Sequence, residues 1–536
     1  MQRYGWAKWG DVNGFFSLVI DNVAVMMLLA LILQGFGFSQ DFVLSHMIPG
    51  TVLGVVIGDL VYTWLAFRLA RQTNRPDVTA MPLGIDTPST FAVAFLVLVP
   101  SFQDGLKLFH GNKEQAMLYS WHIGAVVLVL VGVFKTLFAP VGNLVRRFVP
   151  RAGLLGSLAA IAICLIAFLP MSNHILTVPI VGLLAVTVIL ATLIADRSLP
   201  FNLPGTLAAL AIGVAAYYLC QNIGGLLDFP LVPSHEMPES LHVAPTLFPS
   251  IDWQMVWKPA LEKLPAILPF ALATIVGGID CTESAAAAGD EYDTRTILLT
   301  EGLASLAAGL SGGVLQNTPY IGHPAYKAMG SRAAYTLATA AFVGAAGFLG
   351  WFPYIFNLLP HAAMFPILVF VGVEITAQSF KATPVKHFPA LALAMLPAIA
   401  ALGNILVKEA LGGGEPQPHG EGPGHIQTLR CLSNGFIVTS LIWGAALAAL
   451  IDGRLRVSSC YFAVGAVFAL FGIIHSPLKD ERIAWPANIL AQLPETAKIQ
   501  TPYHWAAAYA LCALFILCLD FLPNKATPGT HNDNLK

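Results

Sequence analysis

The sequence predicts an all-α polytopic membrane protein with about fourteen membrane segments, up to sixteen, arranged as two halves of inverted topology. Three observations carry this. The 536 residues are 56% hydrophobic with a mean hydropathy of +0.70, and only 11% are charged, against about 25% in an average soluble domain. Apolar stretches of about 18–24 residues, the length that crosses a bilayer, recur along the chain. Two shorter stretches are broken by related triplets, Asp86-Thr87-Pro88 and Asn317-Thr318-Pro319, 231 residues apart. A soluble globule of this length could not enclose so much apolar surface. That excludes an ordinary soluble enzyme and a disordered chain. The net charge of -2, without a basic patch, excludes a nucleic-acid binder. The seven cysteines (Cys164, Cys220, Cys281, Cys431, Cys460, Cys512, Cys518) are scattered without metal-ligand spacing. They read as small buried apolar residues, not a disulfide frame.

Full spans are predicted near 15–35, 47–67, 119–138, 152–170, 176–195, 203–220, 264–288, 297–312, 333–352, 362–380, 388–407, 432–451, 458–475 and 503–523. The first carries Asp21 and lacks a small-residue cleavage site after it, so it reads as a span and not a signal peptide. The interrupted segments are Ala80–Pro100 and Gly313–Gly330. Counting both as crossings with the N-terminus inside puts 18 of the 28 Lys and Arg on the inner side and 9 outside, with Lys135 inside a span. This bias places both termini in the cytoplasm of a cell (inner) membrane protein. Two long outer loops, Gln221–Lys258 and Lys408–Arg430, read as solvated connectors without chemistry.

Paired broken segments in inverted halves point to a transporter's binding site. Proline lacks an N–H and suits the first turn of a half-helix. Thr87 and Thr318 are expected to cap those turns. The free N–H groups then face mid-membrane and can donate to a ligand oxygen. Plain Pro/Gly kinks are the bland alternative. Intramembrane carboxylates are costly and functional by default. Those within spans are Asp21, Asp59, Asp280, Glu283, Glu301 and Glu374. Asp280 and Glu283 share a helix face amid small residues. Glu283 is the substrate-binding candidate, completed by Gln316, Asn317, Thr318, Asp86 and Thr87. Asp280, Asp86, His323 and Asp21 are candidates for ion or proton coupling. Asp59, Glu301 and Glu374 read as structural. Asp21-Asn22 echoes Asp280-Cys281, each after isoleucine. Asp290, Glu291, Asp293 and Arg295 read as a cytoplasmic turn. No phosphate-binding loop, HExxH, paired CxxC or GxSxG motif occurs. Neither metal, cofactor nor enzymatic chemistry is therefore expected.

The stretch Thr282-Glu283-Ser284, Gly289-Asp290, Tyr292, Arg295-Thr296-Ile297 and Glu301-Gly302-Leu303 resembles the eighth and ninth helices of the nucleobase–ascorbate transporter family. Ile321-Gly322, Lys327 and Gly330-Ser331-Arg332 resemble the end of its tenth segment. Asn434-Gly435 is similar to the hypoxanthine/adenine/guanine permease branch. The resemblance implies two inverted repeats of seven, with segments 3 and 10 each a short strand plus half-helix. It implies core domains at 1–138 and 259–352, gate domains at 139–220 and 353–475, an extracytoplasmic loop at 221–258 and a C-terminal extension at 476–536. It further implies a dimeric, elevator-type symporter that couples a small planar nucleobase held by Glu283 to H+ or Na+. Three departures are visible: Pro319 at a usual carboxylate or glutamine position, Ala287 at a permease histidine, and up to two extra spans. The alternatives are a small-anion transporter of the sulfate-permease type on the same fold and a passive channel.

Overall fold

The computed structural model describes residues 4–141, 151–195, 197–200, 203–227, 231–232, 244–320, 322–410, 422–478, 484–493 and 500–521. The chain divides into two compact units, Met1–Val149 with Ile161–Gln378, and Pro150–Ala160 with Ser379–Lys536. The first unit begins with α1 (Gly10–Gly35), α2 (Gln40–Thr73), β1 (Leu83–Ile85), α3 (Thr87–Leu108) and α4 (Lys113–Phe138). The continuous helix α5 (Leu155–Ile175) has its first turns in the second unit and the rest in the first. It is followed by α6 (Pro179–Ile194) and α7 (Gly205–Leu227), then α8 (Trp253–Ala287) and α9 (Thr294–Leu310). The unit continues through β2 (Asn317–Pro319), α10 (His323–Ala328), α11 (Ala334–Phe348) and α12 (Phe352–Leu358), and holds most of α13 (His361–Lys381). Among the described residues nine helices are long and apolar enough to cross a membrane, or eleven if each of two sharply bent helix pairs counts as one span.

Side-chain caps start several of these helices. Asp86, Asn112, Asp252 and Asp293 accept the N–H three residues on and satisfy a group the helix itself cannot. Glycine decides which helices touch. A Cβ on Gly132 of α4 would stand 2.6 Å from Leu306 N of α9, and one on Gly302 of α9 would stand 2.6 Å from Thr136 Oγ1 of α4. The two backbones can meet only because those side chains are missing.

The strands form an antiparallel ribbon, with Leu83 opposite Pro319, Gly84 opposite Thr318 and Ile85 opposite Asn317. The ladder extends through Tyr320 N–H to Pro82 O and Asp86 N–H to Gln316 O. By the alternation of such a ladder, Leu83, Ile85, Asn317 and Pro319 turn their backbone polar groups outward. Among spanning helices those groups need partners, since irregular backbone in a bilayer must be satisfied by protein. Leu83 N–H donates to Asp59 Oδ1 (3.2 Å), Ile85 N–H to Asn22 Oδ1 (3.0 Å) and Asn317 N–H to Ser305 Oγ (3.2 Å). Asn317 O accepts from Lys135 Nζ (3.0 Å) and Pro319 O from Cys281 Sγ (3.4 Å). Pro319 has no N–H, and it occupies an outward position where one would need a partner.

The second unit contains α14 (Phe388–Ala410), α15 (Gly422–Ser433), α16 (Phe436–Ile451), α17 (Leu455–Leu470), α18 (Pro486–Ala491) and α19 (Pro502–Asp520). Its interior carries a directed hydrogen-bond chain. Trp443 Nε1 donates to Tyr509 Oη (2.7 Å), which pairs with His475 Nε2 (2.7 Å), while His475 Nδ1 meets Cys431 O (3.1 Å).

Three expectations are corrected. Of the seven cysteines, Cys460, Cys512 and Cys518 are exposed and not buried as expected. The predicted span at 333–352 is α11 only, and the chain then bends by 97° into α12. The first outer loop is more than a solvated connector: Thr246 N–H donates to Ser45 O (2.7 Å) and Phe248 N–H to Ser311 O (3.3 Å). Residues 228–230, 233–243 and 411–421 of the two loops lie outside the described residues.

Candidate functional site

The ribbon delivers the chain into α3 through Asp86. Its Oδ2 accepts from Ser89 N (2.8 Å), so Asp86 caps the helix and Thr87 is merely its first residue. The second half-helix differs from expectation. Thr318 lies within β2 and caps nothing, while α10 begins at His323-Pro324 with Gly322 as its uncapped N-terminal neighbour. The structural counterpart of Thr87-Pro88 is thus His323-Pro324. The Asn317-Thr318-Pro319 echo sits in the strand because Pro319 fits an outward edge.

A buried polar network joins the two strands. Lys135, 1% exposed, forms an ion pair with Glu301 (2.5 Å). It also donates to Gln316 Oε1 (3.2 Å) and Asn317 O (3.0 Å). Gln316 Nε2 in turn faces Asp86 Oδ2 at 3.5 Å. Asp86, Gln316 and Asn317 are therefore brought together around the ribbon. The Asn317 side chain is fully buried and packs against α2 and α9, where Gly54 leaves room for its amide. Asp21, 5% exposed, lies beside Gly84: a Cβ there would stand 3.7 Å from Asp21 Oδ2.

The α8 residues divide between two faces. Cys281 reaches β2, and Gly278 lies against Glu301. Glu283, two residues and about 200° further round the helix, is exposed, and Asp280 is half-buried. Gly277, one turn before Asp280, has open space in front of it. Asp280 and Glu283 lie on a side of α8 distinct from the one that holds the ribbon, and Gly277, about 40° from Cys281, stands between the two. The echo between Asp21-Asn22 and Asp280-Cys281 has a structural content: Asn22 satisfies β1 and Cys281 satisfies β2.

His323 belongs to a different cluster. Its Nε2 meets Thr79 O (3.1 Å) and Asp290 Oδ2 (3.4 Å). Asp290, fully buried in the turn between α8 and α9, also pairs with Lys327 (2.6 Å) and Arg75 (3.4 Å) and accepts from Thr79 N (3.1 Å). Burial pushes its pKa up. The bonds from His323, Lys327 and Thr79 outweigh that and hold the carboxyl below the usual carboxylate range. This cluster ties the loop before β1 to the helix after β2.

Sequence reasoning left Lys135 as a lone cation in a span and Glu301 as a structural acid. Only the glycine-mediated contact of α4 with α9 shows that they meet. The one available signal was a lysine and a glutamate each within an apolar stretch, since unpaired intramembrane charges are rare.

No protein-family model matches the sequence, and no curated protein does. Solved structures do match. SLC26A9 aligns with a TM-score of 0.50 at 11% identity, over 83% of this chain and 65% of that one. The transmembrane domain of a cyanobacterium bicarbonate transporter, BicA, aligns at 0.44 and 17% identity, over 76% of this chain and 97% of that one. Murine Slc26a9, described as an anion transporter in the inward-facing state, aligns at 0.42 and 14% identity, over 76% and 69%. The alignment at 0.50 corrects the resemblance to the nucleobase–ascorbate family: the structure that shares the fold there is SLC26A9. The residues that carried the resemblance have local structural reasons to be there. Gly289 adopts φ +94°, Asp290 is the buried ion-pair centre, Tyr292 Oη donates to Thr79 O (2.5 Å), and Gly302 admits α4. Any closely packed helix pair of this kind would favour them. The chain is a multi-pass membrane protein with the seven-plus-seven inverted-repeat fold, and two of its segments each open on a short strand that is followed by a helix.

Proposed function

We propose that the chain is a secondary active transporter of a small anion, of the sulfate-permease type. The observation that carries this reading is the fold shared with SLC26A9, a protein described as an anion transporter. Local electrostatics agree with it. The N-terminus of α3, where helix N–H groups and dipole favour negative charge, emerges from the ribbon beside the buried ammonium of Lys135. Glu283, which would repel an anion, is exposed on the side of α8 turned away from β2.

Asp86 and Asp280 are read as coupling residues. An anion approaching Asp86 or Asp280 is favoured when a proton or sodium ion neutralises them. Asp21 belongs to the same set, because its Oδ1 has no hydrogen-bond partner among the described residues. His323 is a weaker member, held in the Asp290 cluster. The proposal keeps the core (1–138, 259–352), gate (139–220, 353–475) and extension (476–536) division. It also keeps a homodimer in the cell (inner) membrane with cytoplasmic termini.

The test is a thermal-shift screen of purified protein with sulfate, bicarbonate, a dicarboxylate, purines and pyrimidines, repeated on Glu283→Gln. A ligand at about 100 times its Kd stabilises the native state by about 2.7 kcal/mol. The expected result is stabilisation by an anion, kept or increased in the variant. Stabilisation by a nucleobase in wild type only would overturn the proposal.

A further inference from the structure

We propose that Lys135 is a positioning residue of the transport site, acting through the Gln316 side-chain amide. This inference rests on the anion reading above.

The chemistry of the ammonium makes the argument. It has three N–H donors and no acceptor. In the structure its neighbours are three oxygens: Glu301 Oε1 at 2.5 Å, Asn317 O at 3.0 Å and Gln316 Oε1 at 3.2 Å. The orientation of a glutamine amide is often open to a flip. Here it is not, because the NH2 group cannot face an ammonium. Lys135 therefore forces Gln316 to turn its nitrogen away, toward Asp86 and the N-terminus of α3. Glu301 balances the charge, so that the cation can be fully buried.

The nitrogen so presented is loosely held. Its contact with Asp86 Oδ2 is 3.5 Å, well beyond the common N–H to oxygen distance of about 2.9–3.0 Å. Asp86 has its better donor in Ser89 N–H at 2.8 Å. Gln316, itself only 2% exposed, thus has N–H groups to give to an oxygen that reaches the start of α3. Its backbone cannot shift to follow, because Gln316 O holds Asp86 N–H (3.0 Å) and Lys135 holds the next carbonyl. The ligand it fits is an oxyanion that accepts from Gln316 and the α3 terminus together.

The experiment is saturable uptake of radiolabelled sulfate, bicarbonate and a dicarboxylate into proteoliposomes holding the full chain. Four proteins are compared: wild type, the charge-neutral pair Lys135→Met with Glu301→Gln, Gln316→Leu, and the triple combination. A single Glu301→Gln, which keeps Lys135 on Gln316, is the fifth. Loss of one bond from a charged or oriented donor predicts a rise in KM of about tenfold or more, with kcat within about threefold. The rise is expected in the neutral pair and in Gln316→Leu, with no further rise in the triple, since both changes remove one arrangement. Glu301→Gln should keep its KM within about threefold. Wild-type KM in the neutral pair, or additive losses in the triple, would overturn the inference and leave the anion reading standing. If the neutral pair does not fold, a Glu301→Gln protein whose KM rises as far as that of Gln316→Leu overturns it equally. Absence of saturable anion uptake by the wild type removes the anion reading itself, and this inference with it.

Discussion

Asn317 shows how a residue's type can be legible while its surroundings are not. An asparagine in a broken intramembrane segment invites a ligand, but its amide is packed between α2 and α9 at full burial. Gly54 makes this possible, and the dependence is measurable. In Gly54→Ala the new methyl would overlap the Asn317 amide and lie 2.9 Å from Ala304 O, a backbone atom that cannot swing aside. Overpacking of this kind costs about 1–3 kcal/mol. Thermal unfolding in detergent should show that loss, whereas Gly35→Ala, with nothing within 4 Å, should leave the midpoint in place. Equal midpoints would mean that the Asn317 amide does not sit where it is described. The carboxylates tell the same story from the other side. Their cost in a membrane marks them from sequence alone, but burial and partner divide them: Asp59 satisfies a strand, Glu301 a lysine, and Glu283 stands exposed.

At the scale of elements, the broken segments were legible because proline and glycine interrupt apolar runs at two corresponding places. Their register was not. The two similar triplets fall on different parts of their segments, one opening α3 and the other inside β2. Which residue starts a helix after a strand depends on where the ladder ends, and the ladder is set by a partner far away in sequence. Loops show a comparable limit. In the turn after α16, Asp452 gathers Lys386 (2.7 Å), His387 (2.8 Å) and Arg454 (3.0 Å), a meeting that spacing along the chain does not show. The hydrogen bonds from Lys386 and His387 lower its pKa from 3.8 to about 2. A group depressed in the folded state contributes stability above its unfolded value, and that contribution is lost as pH falls. The window here is from about pH 4 down to about pH 2. Midpoints of wild type should fall through this range more steeply than those of Asp452→Asn, which lacks the titration. Parallel acid limbs would assign the acid sensitivity to other carboxylates.

For the whole molecule, composition and apolar periodicity sufficed for a polytopic helical protein, and the paired interruptions for inverted halves. The ligand class was less legible, because short motifs around Asp290 and Glu301 describe how α8 meets α9 and α4, a packing problem common to unrelated cargoes. Orientation rests on a different physical rule. The excess of Lys and Arg on alternate loops predicts both termini in the cytoplasm, and the loops on either side of α4 and α8 make this testable. Asn112, between α3 and α4, falls outside, and Glu291, between α8 and α9, falls inside; both are exposed. Single cysteines at these positions can be probed with a membrane-impermeant maleimide in intact cells, after Cys460, Cys512 and Cys518, the exposed native thiols, have been replaced. Labelling is expected at Asn112→Cys without permeabilisation and at Glu291→Cys only with it. The reverse pattern would invert every loop, put the Asp290 cluster on the outer face, and turn the proposed coupling direction around with it. Labelling of both from outside would mean that one of the apolar segments between residues 112 and 291 does not complete a crossing.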